Sequence, residues 1–211
     1  AIIYGFYSVE KFSFAVFIII AFMGSSGKKR RLDRNFYTFV ALSISSDFIS
    51  YFKGIPFGKE ISLFLVSVAF FVLFIEALKQ LNRSYREICI ALSVCIYVLV
   101  LVYILSSNSL AFYDFFYYIS SIAYSLFFGS LVITGIAASL YYFSSYSTKS
   151  VFFFCFTLCL ILANTFHELG VIYLRDISLE LTEAILRASA VIPMILFFAT
   201  SEERLLIERT N

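Results

Sequence analysis

The sequence predicts an all-α, polytopic membrane protein: a bundle of seven transmembrane helices, N-terminus outside and C-terminus in the cytoplasm. Three observations lead there. Hydrophobic residues make up 61% of the 211 and charged residues 14%, against about 45–50% and 25% in soluble domains. Cutting the chain at its polar breaks leaves seven apolar segments, over residues 3–24, 36–53, 60–79, 87–106, 113–143, 150–173 and 179–200. About 20 apolar residues cross a bilayer core at 1.5 Å rise per residue. Finally, the basic residues sort onto alternate connections. One side holds 11: Lys28, Lys29, Arg30, Arg31, Arg34, Lys79, Arg83, Arg86, Lys149, Arg204 and Arg209. The other holds 4, Lys11, Lys53, Lys59 and Arg175, with Arg187 inside the last segment. Positive charge stays cytoplasmic, which sets the orientation.

The segments differ in character. The first is the least regular, with Glu10 and Lys11 in its outer half. Its strongly basic flank is wrong for a cleaved signal peptide. The second carries a serine-rich face, Ser43, Ser46 and Ser50, around Asp47. The third is aliphatic and rich in Phe, with Glu76 near its cytoplasmic end. The fourth has no charge between Glu87 and Ser106. The fifth exceeds one perpendicular span, so it tilts or starts in the interface; Tyr113, Phe115, Phe116, Tyr117 and Tyr118 suit an aromatic belt there. At its centre Gly129, Ser130, Thr134, Gly135, Ala138 and Ser139 allow close helix approach. Pro193 should kink the seventh.

Seven spans with short loops form one domain over residues 1–200, followed by a cytoplasmic exit helix over 201–211. Ala1 at the start and the charged stretch ending at Asn211 read as the ends of a piece of a longer protein. The net charge of +2 fits an anionic inner leaflet. No basic stripe with interleaved aromatics marks a nucleic-acid partner. Cys89, Cys95, Cys155 and Cys159 contain no CxxC pair and read as small packing residues.

Ionisable side chains inside a bilayer are costly and mark function by default. Several fall in one outer slab: Asp47 in the second segment, His167 and Glu168 in the sixth, Glu180, Glu183 and Arg187 in the seventh. Asn164, His167 and Glu168 share a helix face at spacings of three and four. Glu183 and Arg187 have the spacing of an intrahelical ion pair. The short connection between the sixth and seventh segments should bring these faces together. The expected site is a polar cavity lined by Asp47, Asn164, His167, Glu168, Glu183 and Arg187, with Arg187 and His167 as partners for Asp47. Structural roles, such as residues reaching back to the interface or a packing ion pair, compete with this reading, most strongly for Glu183 and Arg187.

Specific chemistries are harder to support. His167 is the only histidine, and a zinc site with one histidine is unusual. The last segment has no Lys for a retinal Schiff base. No GxSxG element accompanies His167. The residues therefore specify no cofactor.

In layout the chain resembles the seven-helix membrane sensor modules (the MASE-like class) that precede bacterial histidine kinases and diguanylate cyclases. The carriers are the basic loop KKRRLDRN after the first segment, the short outer loops, and the tail SEERLLIERTN, in which Phe198 and Leu205 lie one heptad apart. The resemblance implies a bacterial inner-membrane receptor that binds a small molecule or lipid, dimerises through its C-terminal helix and has no activity of its own. A weaker resemblance is to lysoplasmalogenase-like membrane proteins, which implies lipid hydrolysis with Asp47 and His167 as acid and base. The usual Gly-Asp pair of those proteins is Ser46-Asp47 here, and the helix count departs from theirs.

Overall fold

The computed structural model describes residues 34–51, 57–108, 115–172 and 177–199. Within them all regular structure is helical, with no strand: α1 (Arg34–Tyr51), α2 (Gly58–Gln80), α3 (Arg83–Asn108), α4 (Phe115–Ser145), α5 (Thr148–Ile172) and α6 (Ile177–Ala199). These are the second to seventh predicted segments. The first segment with Glu10, the basic loop up to Asp33 and the 201–211 tail lie outside the described residues.

Four stretches are long and apolar enough to cross a membrane: Gly58–Gln80, Ile119–Ser145, Thr148–His167 and Ser178–Phe198. Their packing explains why water would not suit them. On α2, Leu63, Phe70, Leu73 and Ala77 are buried, yet Phe64, Phe71 and Ile75 on the opposite side are exposed. A helix apolar all round belongs in a core or a membrane. α4 is one unbroken helix of 31 residues, as its long apolar run predicts.

Local chemistry fixes the helix ends. Phe57, with φ 61°, turns the chain into α2, and Ile61 N–H donates to its carbonyl at 2.9 Å. The α4–α5 connection is only Tyr146 and Ser147. Tyr146 takes a left-handed φ of 46°. Ser147 then caps α5: its hydroxyl accepts from Ser150 N–H and the Ser150 hydroxyl accepts from Ser147 N–H, both at 3.1 Å. This is a reciprocal capping box with Ser in the Glu position.

Directions follow from cross-helix contacts. Asn35 donates to Glu76 at 2.7 Å while Ser46 and Ser62 share a hydroxyl contact at 2.7 Å, so α1 and α2 are antiparallel. α2 and α4 are parallel: Ser120 donates to Glu60 near one end, and Thr134 to the Phe70 carbonyl at 3.0 Å midway. α5 and α6 form the most extensive pair. α1 closes against both, through Phe36 on Phe198 at 5.0 Å and Phe39 on Phe156 at 6.4 Å. α3 packs on α4 at the edge, leaving Ile90, Val94, Val98 and Leu99 exposed.

The small residues of α4 serve three neighbours. A Cβ at Gly129 would lie 3.2 Å from Tyr97 of α3, and one at Gly135 would lie 3.0 Å from Ile161 of α5. Thr134 holds α2. The cysteines divide: Cys89 is buried as expected of a packing residue, whereas Cys95 and Cys155 are exposed. Arg34, Lys79, Arg83, Arg86 and Lys149 all fall at one end of the bundle, termed here the basic end. Lys59 and Glu60 start α2 at the far end.

Candidate functional site

The site lies toward the far end, where α1, α2, α5 and α6 meet. Asp47 is near the C-terminus of α1, His167 near that of α5, and Glu183 about two turns into α6. Antiparallel α1–α6 and α5–α6 packing puts these positions at one level.

Glu183 is the centre. Its side chain is 12% exposed, and both oxygens are engaged. His167 Nδ1 lies 2.9 Å from Oε2, and Arg187 Nε donates to Oε1 at 2.9 Å. Four residues separate Glu183 from Arg187, so one helix turn brings the two side chains together. The Arg187 guanidinium continues toward α1, with Nη1 3.9 Å from Asp47 Oδ1. That is an ion-pair distance and too long for a hydrogen bond. The result is a row of His167, Glu183, Arg187 and Asp47 across three helices. A carboxylate paired with Arg accepts only, so the His167 Nδ1 carries the proton of its contact. In a neutral ring this leaves Nε2 as an acceptor.

Beside the row is a cavity of about 110 Å³. Its polar lining is Ser43, Ser46, Asp47 and Ser50 of α1, Lys59 and Ser62 of α2, Asn164 and His167 of α5, and Arg187 of α6. The remainder is apolar: Phe39, Leu63, Val66, Ala69, Phe70, Phe127 and Leu160. Ser50 and Lys59 are exposed, so the polar part reaches the surface at the far end.

The predicted residues can be placed one by one. Asp47, Asn164, His167 and Arg187 line one cavity. Glu183 stands behind its wall and holds two of the lining side chains. The Glu168 side chain lies outside the described residues. Partnership is distributed differently from expectation. Arg187 faces Asp47, but His167 is bound to Glu183 instead, because α5 and α6 are adjacent. Asn164 donates to its own helix, to the Leu160 carbonyl at 2.7 Å. Among the described residues no three of His, Cys, Asp and Glu are placed to hold a metal ion.

Sequence reasoning overlooked α2. Lys59 enters the charge count only as a loop residue, and Ser62 carries no signal alone. A lysine at the very start of an apolar helix, four residues before a buried Leu63, is the feature that could have marked this wall. The Ser46–Ser62 contact closes it, with the Ser46 hydroxyl also donating to the Ser62 carbonyl at 3.0 Å.

No protein-family model, curated protein sequence or solved structure matches this chain.

Proposed function

We propose that the chain is the membrane-embedded sensing domain of a receptor in a bacterial inner membrane. It has seven spans, with the N-terminus outside. A small molecule enters the cavity from the outer side, and the last helix carries the response to a cytoplasmic output module, within a dimer formed through the C-terminal helix. The observation that carries this reading is the row of His167, Glu183, Arg187 and Asp47 beside a cavity open at one end. Any occupant that draws on Arg187 or His167 alters the α6 contacts to α1 and α5 together. A protein needs such differential contacts to report a ligand.

The hydrolase reading draws less support. His167 is tied to Glu183 and Asp47 faces Arg187, so both side chains are already engaged by charged partners.

The test uses the full-length gene product. Asp47→Asn and His167→Ala should each shift the output, read as phosphorylation or second-messenger level. Unchanged output in both variants overturns the sensing role. For orientation, a cysteine placed at Ser25 should resist an impermeant thiol reagent added outside intact cells, and its labelling there overturns the orientation.

A further inference from the structure

We infer that the crevice between α3 and α4 at the far end is a phospholipid site, in which hydroxyls of α4 hold the ester carbonyls of a diacyl lipid. It is separate from the cavity beside Arg187 and does not depend on the sensing role.

The crevice measures about 500 Å³. Leu99 and Val100 of α3 line it, with Ser121, Tyr124, Ser125 and Phe128 of α4. α3 presses close to α4 at Gly129, where a Cβ would lie 3.2 Å from Tyr97. Ser125 and Ser121 continue that face of α4 toward the far end, at the same four-residue spacing.

Hydroxyls in a membrane helix commonly bond back to the preceding turn. Ser130 and Ser139 of α4 and Thr165 of α5 all do so. Ser121, Tyr124 and Ser125 are half-buried and make no hydrogen bond among the described residues.

Depth identifies their partner. The apolar stretch Ile119–Ser145 has 27 residues, about 40 Å of helix, which matches a hydrocarbon core with its interfacial layers. Ser121 then lies about 3 Å and Ser125 about 9 Å inside the far end of that stretch. This is the boundary of hydrocarbon and headgroups, where water thins out and an unsatisfied polar group becomes costly. The ester carbonyl is the acceptor that a lipid itself carries to this level.

Shape and charge fit the same occupant. Leu99 and Phe128, 68% and 43% exposed, stand at the rim and would hold a helix about 10 Å across off the serines. A single acyl chain passes between them. Phe128 also belongs to the groove between α4 and α5, with Val132, Ile136 and Phe143, so apolar surface continues from the hydroxyls toward the bilayer centre. Lys59 Nζ stands 4.9 Å from the centroid of the Tyr124 ring, a cation at the level of the lipid phosphate. The neighbouring anion, Glu60, accepts from Ser120.

The test places the purified chain in nanodiscs that hold equal amounts of a diacyl phosphatidylglycerol and its dialkyl ether analogue. The two share headgroup and chain length, and only the first has carbonyls. Lipid retained after detergent exchange is quantified by mass spectrometry. The ester form should be enriched at least about threefold. The triple variant Ser121→Ala, Tyr124→Phe, Ser125→Ala should abolish the enrichment. Equal retention of both lipids by the unaltered chain overturns the proposal and leaves water as the partner of the hydroxyls. Enrichment that survives in the variant also overturns it. Should the variant fail to fold, photo-crosslinking of the unaltered chain decides, with a phospholipid carrying a diazirine at the top of one acyl chain. Labelling within residues 121–128 supports the site. Labelling elsewhere, or a second copy of the chain cross-linked there instead, overturns it.

Discussion

Arg187 Nη1 lies 3.9 Å from Asp47 Oδ1, while Nε of the same guanidinium is 2.9 Å from Glu183 Oε1. One cation thus serves two carboxylates unequally. The nearer lies on its own helix and accepts a hydrogen bond. The farther lies across the interface with α1, too far from the guanidinium for a hydrogen bond with it.

This inequality ranks the two pairs. Removing one member of a buried pair costs about 3–5 kcal/mol; side chains that are 12% and 20% exposed should retain part of that. Double-mutant cycles in a detergent-unfolding assay should give the Glu183–Arg187 pair a coupling of about 1–2 kcal/mol and Asp47–Arg187 less than about 0.5 kcal/mol. Equal couplings would mean that the longer contact is as strong as the hydrogen-bonded one.

Gly135 should show a compensable steric effect. A methyl there would sit 3.0 Å from Ile161 Cδ1, the end of a flexible side chain. Gly135→Ala is therefore expected to cost about 1 kcal/mol through overpacking. Ile161→Val removes the clashing methyl, and in that background the alanine should cost nothing measurable. Thermal unfolding of the four proteins tests this, and an undiminished cost in the double variant would locate the conflict elsewhere.

Tyr146 holds a left-handed backbone, φ 46°, with its side chain 65% exposed. Bulky residues adopt this region at a cost of about 1 kcal/mol, and Asn tolerates it. Against this stands a tilted ring contact with Tyr142 at 6.2 Å. Because the tyrosine is mostly exposed, the backbone effect should win. Tyr146→Asn should stabilise the chain by about 0.5 kcal/mol, measured by reversible unfolding, and a loss of stability would show that the ring contact outweighs the turn.

Much of this architecture can be read from sequence because lipid imposes simple rules. Apolar length locates α2, α4, α5 and α6 within a few residues, and helical spacing finds the Glu183–Arg187 pair without any knowledge of neighbours. The faces of α5 and α6 meet as their short connection requires. Partner choice between remote helices is another matter. Whether His167 would turn to Asp47 or Glu183 depends on which helices are adjacent, and apolar composition does not encode adjacency. The parallel packing of α2 on α4, which brings Lys59 and Ser62 to the site, is invisible for the same reason. Gly129 and Gly135 show that small residues permit close approach without naming the neighbour: one meets α3, the other α5.

The α6 helix is fastened to α1 at two levels. Arg187 holds it beside Asp47, and farther along Phe198 packs on Phe36 at 5.0 Å. Between these anchors lies Pro193, inside a helix that stays continuous. Proline has no N–H for the Ser189 carbonyl, so the intervening turn is the softest part of the rod. The first tether is an ion pair at 3.9 Å and the second a single ring contact, so neither fixes the rod rigidly. A displacement at Arg187 would meet the proline turn before it reached Phe198, and bend or twist there would take part of it up.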